Sequence, residues 1–317
     1  MGLRRYNLPM IGAIDIGGTK IAAGGVDRQG RLLARRACPT APERGWEDAV
    51  ARMIAMLREA QAEAGEKIEG IGIGSTGPVD PLTGTVENAE LLPGWLGAPL
   101  VDRLGKALGV TAAMENDADS AALAEAVWGL GRGAECFVYV TISTGIGAGI
   151  VQGGRLFRGA AGAHPELGHT VLDNSGGPRC YCGLTGCWEA LASGPAMEAW
   201  YAAESGAGAQ PVSAAEICQR ALAGEPLALR TAEREAFYIG LGLVNVVTSY
   251  CPDAIALGGG VMQSPALFLD RARAMVRRLV TQVPVENVRI EPAVLGADAG
   301  LHGAACAWLH RYQGLQL

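Results

Sequence analysis

The chain has 317 residues, 49% of them hydrophobic, and carries a formal net charge of −6 with a sequence pI of about 5.4. This acidic balance argues against nucleic acid as the main partner, and the length is sufficient for two domains that share a cleft. The sequence contains no run of about 18 apolar residues and no secretory signal pattern, so we expect a soluble, cytoplasmic protein without a membrane partner.

The first predicted strands form an antiparallel meander with a glycine turn at its first corner. Met10 to Ile16, Ile21 to Val26 and Arg31 to Arg36 are the three strands. Backbone N–H groups at such a corner can point at phosphate oxygens, and threonine and lysine side chains add donors. The residues of this corner are Gly17, Gly18, Thr19 and Lys20. Taken alone, the corner is equally compatible with an ordinary glycine hairpin.

Helices and strands are predicted to alternate after the meander. Glu43 to Ala64 keeps its apolar residues at helical spacing, Ile68 to Gly74 is a predicted strand, and a stretch rich in proline and glycine follows. The next predicted helix is Val101 to Leu108, and the next predicted strand is Val110 to Met114.

An acidic residue lies where that strand gives way to an alanine-rich helix predicted for Ala118 to Trp128. Asp117 directly precedes this helix and follows Glu115 and Asn116. Open α/β sheets bind ligands at this end of their strands, and a helix N-terminus favours an ionised carboxylate. Asp117 is therefore a candidate functional residue. The alternative is that it only caps the helix.

The order of strands then repeats. Cys136 to Ser143, Ala148 to Gln152 and Arg155 to Arg158 are predicted strands, and a second glycine corner containing Thr144 and Gly145 lies between the first two. The same order occurs at residues 10–36. This repetition predicts a duplicated domain whose two phosphate-type corners face across a cleft.

A cluster of borderline and soft metal ligands follows the second meander. One histidine and three cysteines lie within 19 residues, and glycines around them permit tight turns. Zinc takes four nitrogen and sulfur ligands when its role is structural. The predicted ligands are His169, Cys180, Cys182 and Cys187. Glu166 and Glu189 lie close to these ligands in sequence, so a bound zinc ion would hold both carboxylates in place for a polar ligand. Disulfide pairing with other cysteines is the alternative.

The remaining chain is predicted to be mainly helical. The predicted helices are Ser193 to Glu204, Ser213 to Leu222, Thr231 to Tyr250, Pro265 to Val280 and Asp298 to Trp308, and the strands are Ala254 to Leu257 and Val288 to Pro292. Between the strand at 254–257 and the next helix lie Gly258, Gly259 and Gly260, where a nucleoside could lie against the backbone. A tight packing turn is the alternative for this glycine run.

Taken in order, these motifs resemble the ROK family of sugar kinases, within the actin, hexokinase and Hsp70 superfamily. The resemblance extends from Asp15 to about Ala305 and rests on both corners, the 115–117 triplet, the Glu166 to His169 run, the cysteine cluster and the glycine run. It implies an α/β, ribonuclease H-like fold with duplicated mixed sheets and a cleft. We expect a small domain at 1–117 with a returning helix at 298–317, and a large domain at 118–297.

The resemblance also implies the role of each site residue. Asp117 matches the catalytic base, which accepts the proton of the attacking sugar hydroxyl. The matches to sugar-binding residues are Gly77, Asn116, Glu166, His169 and Glu189. The two corners match the loops that bind the ATP phosphates. Gly258 to Gly260 match the adenosine pocket, and Asp15 matches an acidic residue near Mg²⁺. His169 would place one ring nitrogen on zinc and the other on the sugar. A homodimer is also implied.

Departures from the family pattern leave the identity of the sugar substrate undecided. Leu91 stands where many glucokinases of this family have a sugar-contacting asparagine, Thr76 replaces a common proline, and His164-Pro165 is similar to the family's fructokinases. Glucose phosphorylated at O6 is the expectation, with fructose, mannose, N-acetylmannosamine and N-acetylglucosamine as alternatives, and polyphosphate is an alternative donor. Sugar-responsive repressors of this fold carry an N-terminal helix-turn-helix domain, for which the first ten residues give no room. A non-catalytic sugar-binding protein is disfavoured by Asp117 and both corners.

Overall fold

The computed structural model describes residues 9–208 and 210–314, and tertiary contacts divide the chain into two compact units. The first unit extends to Arg132 and includes the chain from Leu295 onward, and the second runs from Gly133 to Val294. The predicted boundary after residue 117 differs from this division, because the helix that follows Asn116 packs within the first unit.

The first unit contains a five-stranded mixed sheet in the order β3-β2-β1-β4-β7. Its strands are β1 (Met10–Ile16), β2 (Lys20–Val26), β3 (Leu32–Pro39), β4 (Ile68–Ser75) and β7 (Thr111–Asn116), and a small hairpin is formed by β5 (Val79–Asp80) and β6 (Thr85–Val86). Its helices are α1 (Trp46–Ala64), α2 (Leu100–Leu108), α3 (Asp117–Trp128) and α9 (Ala299–Tyr312). Strands β1, β4 and β7 run parallel, whereas β1, β2 and β3 are antiparallel.

Apolar side chains on the two faces of this sheet form separate cores. One face packs against α1 and α2 through residues such as Met53, Leu57 and Leu104. The other face packs against α9, where Trp308 lies over β4. A Cβ atom added to Gly72 would lie only 1.6 Å from the carbonyl oxygen of Ala304, so this glycine permits close contact between β4 and α9.

The second unit repeats the topology of the first, with strand order β10-β9-β8-β11-β12. Its strands are β8 (Cys136–Ile142), β9 (Ile146–Gln152), β10 (Arg155–Leu156), β11 (Ala254–Gly258) and β12 (Arg289–Pro292). Its helices are α4 (Trp188–Ala192), α5 (Gly194–Ser205), α6 (Ala214–Leu222), α7 (Pro226–Tyr250) and α8 (Leu269–Leu279). In both sheets an antiparallel meander continues into two parallel strands, so the structure contains the duplication that the sequence predicts.

A few elements differ from the predicted ones. Helix α7 begins at Pro226, five residues before the predicted start, because proline is well suited to the first turn of a helix. The predicted helix at 265–280 is divided into a short 3₁₀ turn at Pro265–Leu267 and α8. Helix α4 and the β5–β6 hairpin were not predicted, because segments of two to five residues carry little periodicity. No helix among the described residues is long and apolar enough to cross a membrane.

One carboxyl group is enclosed in the core of the second unit. Glu235 of α7 is 0% exposed, and neither of its carboxylate oxygens has a hydrogen-bond partner among the described residues. Desolvation raises its pKa to about 8, and the charge of Arg234 only partly opposes this shift. Glu235 is therefore mainly protonated in the folded protein at neutral pH.

We expect this group to make the protein less stable as the pH rises. Between the ordinary carboxyl pKa of 4.5 and the folded value of about 8, the folded state holds one proton more than the unfolded state. Stability therefore falls with increasing pH, by up to roughly 4 kcal/mol over this window. Glu235→Gln should remove this component, and unfolding midpoints in urea at pH 5 and pH 8 measure it. Glu233→Gln, at an exposed glutamate of the same helix, is the control. Identical pH dependence in wild type and Glu235→Gln would contradict the assignment.

Candidate active site

The first glycine corner connects β1 to β2 and is held from behind by Thr40. The corner closes through a hydrogen bond from the Gly17 N–H to the Lys20 carbonyl (2.9 Å). The buried Thr40 hydroxyl donates to the Gly17 carbonyl (2.6 Å), and its backbone N–H donates to the Thr19 carbonyl (3.0 Å). Sequence reasoning missed Thr40, because this role depends on a tertiary contact that no local pattern signals. Fixing two of the carbonyl groups of the corner pre-organises its backbone.

Asp15 lies at the end of β1, directly before the first corner. Burial raises the pKa of this carboxyl, and the charges of Lys20 and Arg35 partly offset the effect. A Cβ atom at Gly300 would lie 2.3 Å from Asp15 Oδ2, so the first turn of α9 packs directly on the carboxylate. Mg²⁺ is commonly bound through one or two carboxylates together with substrate phosphates. A single acid beside a phosphate-type corner fits that donor set.

Asp117 is exposed at the first position of α3, and Asn116, rather than Asp117, caps this helix. The Asn116 side-chain oxygen accepts hydrogen bonds from the N–H groups of Ala118 (2.8 Å) and Asp119 (3.4 Å). The expected alternative, in which Asp117 serves only as the cap, is therefore wrong. The Asp117 carboxylate accepts a bond from the Ala118 N–H (2.8 Å) and is exposed at the surface of the first unit.

Gly77 lies directly beside the Asn116 side chain. A Cβ atom at Gly77 would be 2.4 Å from Asn116 Nδ2. The predicted residues of the first unit follow the carboxyl ends of three adjacent parallel strands, since the register pairs Ile16 of β1 with Ser75 of β4, and Ser75 with Asn116 of β7. This is the end of an open α/β sheet at which ligands bind. The fold thus brings the predicted residues of the first unit to one sheet edge.

In the second unit, the glycine corner between β8 and β9 contacts Glu189. The Ser143 N–H donates to the Gly145 carbonyl (2.8 Å), which closes the turn that displays Thr144. The Ile146 N–H donates to Glu189 Oε2 (2.8 Å). Desolvation raises the pKa of Glu189, and the bond from Ile146 partly offsets this effect. Sequence reasoning predicted Glu189 for the sugar site, but this contact with the corner was not predicted.

The run Gly258, Gly259 and Gly260 packs closely on the neighbouring strand β8. A Cβ atom at Gly258 would lie 2.3 Å from the Tyr139 hydroxyl, and one at Gly259 would lie 2.3 Å from the Ile142 carbonyl. At Gly260 the nearest group is the Ser143 hydroxyl, at 3.7 Å. Two of the three glycines are thus needed for packing, and the third approaches the second corner.

The four predicted metal ligands converge in space. The ligand atoms of His169, Cys180, Cys182 and Cys187 all lie within 4.8 Å of one another. His169 Nδ1 is 3.5 Å from Cys180 Sγ, and Cys182 Sγ is 3.6 Å from Cys187 Sγ. Tetrahedral zinc with ordinary bond lengths would separate its ligands by about 3.6 Å (N···S) and about 3.8 Å (S···S). The donor set and its spacing therefore fit a structural zinc ion.

The chemistry of these thiols makes metal affinity depend on pH. Desolvation, with the neighbouring thiols of Cys182 and Cys180, raises the pKa of Cys187 to about 12. Since zinc binds the thiolate, a zinc ion bound here would displace this proton, and its affinity would fall as the pH is lowered.

Tyr181 and His164 contact two of the residues predicted for the sugar site, His169 and Glu166. The Tyr181 hydroxyl lies 3.0 Å from His169 Nε2, the ring nitrogen that faces away from the thiols, and Tyr181 is 72% exposed. His164 Nε2 lies 3.1 Å from Glu166 Oε1, and this bond lowers the pKa of Glu166. Sequence reasoning assigned no role to Tyr181. A hydroxyl on His169 Nε2 shows that this nitrogen is accessible to an alcohol.

Comparison with known proteins agrees with this fold. The model of the ROK family matches residues 11–311. The glucokinase of Thermotoga maritima is 32% identical over 97% of this chain and 99% of its own. The N-acetylmannosamine kinase of Citrobacter koseri is 35% identical over 92% of this chain and 96% of its own. A crystal structure of a ROK family glucokinase from Streptomyces griseus, in complex with glucose and AMPPNP, superposes with a TM-score of 0.77 at 34% identity, covering 93% of this chain and 98% of the other.

The chain therefore belongs to the ROK family, and its duplicated sheets have the actin- and hexokinase-like fold. Within that family it is an ATP-dependent sugar kinase. This agrees with the expected activity.

Proposed function

We propose that the protein transfers the γ-phosphoryl group of ATP to O6 of glucose, with Asp117 as the general base. The observation that carries this proposal is the exposed Asp117 carboxylate at the first position of α3, with the helix cap supplied separately by Asn116. The Asp117 carboxylate accepts a bond from the Ala118 N–H, but a carboxylate has further lone pairs with which it can accept a bond from a sugar hydroxyl. The glucokinase relatives support glucose as the sugar.

The proposed chemistry requires alignment more than a strong base. Phosphoryl transfer requires little covalent chemistry from the protein. Most of the rate acceleration comes from positioning of the reactants and from neutralisation of the phosphate charge. Asp117 would accept the proton of the sugar hydroxyl as that oxygen bonds to the γ-phosphorus and ADP leaves. The two glycine corners would bind the phosphates through N–H groups, assisted by Lys20 and Thr144. Mg²⁺, when bound near Asp15, would neutralise phosphate charge.

The sugar would be bound by amide, carboxylate and imidazole groups. We assign this role to the Asn116 side chain, the Gly77 backbone, Glu166, Glu189 and His169. The bond from His164 favours the ionised, accepting form of Glu166. His169 Nδ1 lies on the side of the thiols, so Nε2 is the nitrogen that would meet a sugar hydroxyl in place of Tyr181. Zinc, when bound, would fix the tautomer and orientation of this ring.

N-acetylmannosamine is the second candidate sugar. The N-acetylmannosamine kinase of C. koseri is 35% identical over 92% of this chain, against 32% over 97% for the glucokinase of T. maritima. In addition, Leu91 stands beside the first corner, with its Cβ 3.7 Å from the Cβ position of Gly18, and its side chain is 50% exposed. An exposed apolar side chain here is compatible with an acetamido methyl group.

A panel of hexoses with MgATP tests the proposal. Glucose, mannose, fructose, N-acetylmannosamine and N-acetylglucosamine should each be assayed for ADP release, with polyphosphate as a second donor. We expect the highest kcat/KM with glucose and ATP. A higher kcat/KM with another sugar would replace glucose in the proposal.

We also propose that the protein is a homodimer. Light scattering tests this proposal by measuring the molar mass in solution.

A further inference from the structure

The backbone N–H and the backbone carbonyl of Ile146, at the second corner, are each contacted by a residue close in sequence to a predicted metal ligand. Its N–H donates to Glu189 Oε2 (2.8 Å), and Glu189 lies two residues after Cys187. On the other side, a Cβ atom at Gly168 would lie 2.0 Å from the Ile146 carbonyl oxygen, and Gly168 directly precedes His169. Both ligand-bearing segments therefore pack directly on the corner.

The corner itself leaves room for this carboxylate only because it contains glycine. A Cβ atom at Gly145 would lie 2.4 Å from Glu189 Oε2. The same segment makes a further contact, since the Gly194 N–H donates to the Ser143 carbonyl (2.8 Å). Cys187 occupies the N-cap position of α4, and α4 carries Glu189 in its first turn. Residues 187–194 thus hold the corner at two points.

We propose that Glu189 is a positioning residue for the nucleotide as well as a sugar ligand. Oε2 holds the second phosphate corner through Ile146, and the sugar contact falls to Oε1. This inference rests on the proposed roles of the corner and of Glu189. A misplacement of about 1 Å can cost about 100-fold in rate, so a carboxylate that touches both substrate sites aligns the phosphorus with the hydroxyl. Because such coupling is reciprocal, sugar and nucleotide should each increase the affinity for the other.

The test measures nucleotide affinity in the absence of sugar, where a residue that serves only the sugar has no effect. Binding of Mg-AMPPNP should be measured by calorimetry for wild type, Glu189→Ala and Glu189→Gln. We expect Glu189→Ala to weaken binding about tenfold, since the Ile146 N–H loses a charged acceptor. Glu189→Gln retains an oxygen acceptor and should stay within about twofold of wild type, while its KM for the sugar rises.

Glu166→Ala is the matched control, because Glu166 is the other carboxylate assigned to the sugar and its bond is to His164. This variant should bind Mg-AMPPNP like wild type. Wild-type affinity in folded Glu189→Ala would overturn the proposal, as would equal losses in Glu189→Ala and Glu166→Ala. Failure of the glucose assignment would appear only in the hexose panel, since no sugar is present here.

Discussion

Replacing Asp117 with asparagine should lower kcat by about 10³-fold while sugar and nucleotide still bind. A positioned general base contributes about 10²- to 10⁴-fold, and asparagine keeps the shape of the side chain but cannot accept the hydroxyl proton at neutral pH. The helix should be unaffected because its cap is Asn116. The measurement is sugar-dependent ADP release under saturating substrates, together with sugar affinity by calorimetry.

The control for Asp117→Asn is Asp102→Asn. Asp102 is an exposed aspartate of α2 that is paired with Lys106, and its loss should leave kcat unchanged. A kcat for Asp117→Asn within tenfold of wild type would show that another group accepts the proton.

Replacing Cys182 with serine should remove the metal and weaken sugar binding by tenfold or more. Four ligands hold a structural zinc ion, and the binding free energy of such sites is about 10 to 16 kcal/mol in small zinc domains, so loss of a thiolate has a large effect. Cys182 is exposed, so serine costs little packing. Without the metal, His169 would lose the fixed orientation that we propose for its contact with the sugar. Elemental analysis should give one zinc ion per chain in wild type and a value near zero in the variant.

The control for Cys182→Ser is Cys251→Ser, which alters an exposed cysteine outside the cluster. It should keep both zinc and sugar affinity. Full zinc content in Cys182→Ser would contradict the ligand assignment. Loss of zinc with unchanged sugar affinity would instead contradict the coupling through His169.

The sequence allowed much of the fold to be predicted, because strong patterns repeat in it. Both meanders are apolar and bounded by glycine turns, and their repetition predicted the matched strand orders found in the two sheets. The unit boundary was harder to predict. Alanine-rich α3 has no marked apolar face that would show which sheet it covers, and its packing on α9 of the same unit is a long-range contact.

Some features of the site could likewise be predicted from the sequence, and others could not. The metal cluster was predictable, because its ligands are of a rare type and close in sequence, and the structure brings them together. Thr40, Tyr181 and the bond from Ile146 to Glu189 were not predictable, since each depends on a contact between distant segments or on a side-chain orientation. The assignment of the cap to Asn116 instead of Asp117 required the observed hydrogen bonds.

Because α9 completes the core of the first unit, the order in which the chain is synthesised affects when each unit can fold. Helix α9 supplies Leu301, Ala304 and Trp308 to the core on one face of the first sheet. The second unit, from Gly133 to Val294, is continuous in sequence. Domains fold as their residues leave the ribosome, so the later-made unit can complete its core while the earlier one still exposes an uncovered sheet face. Nascent chains of this protein should therefore depend on chaperone protection of that face until α9 emerges.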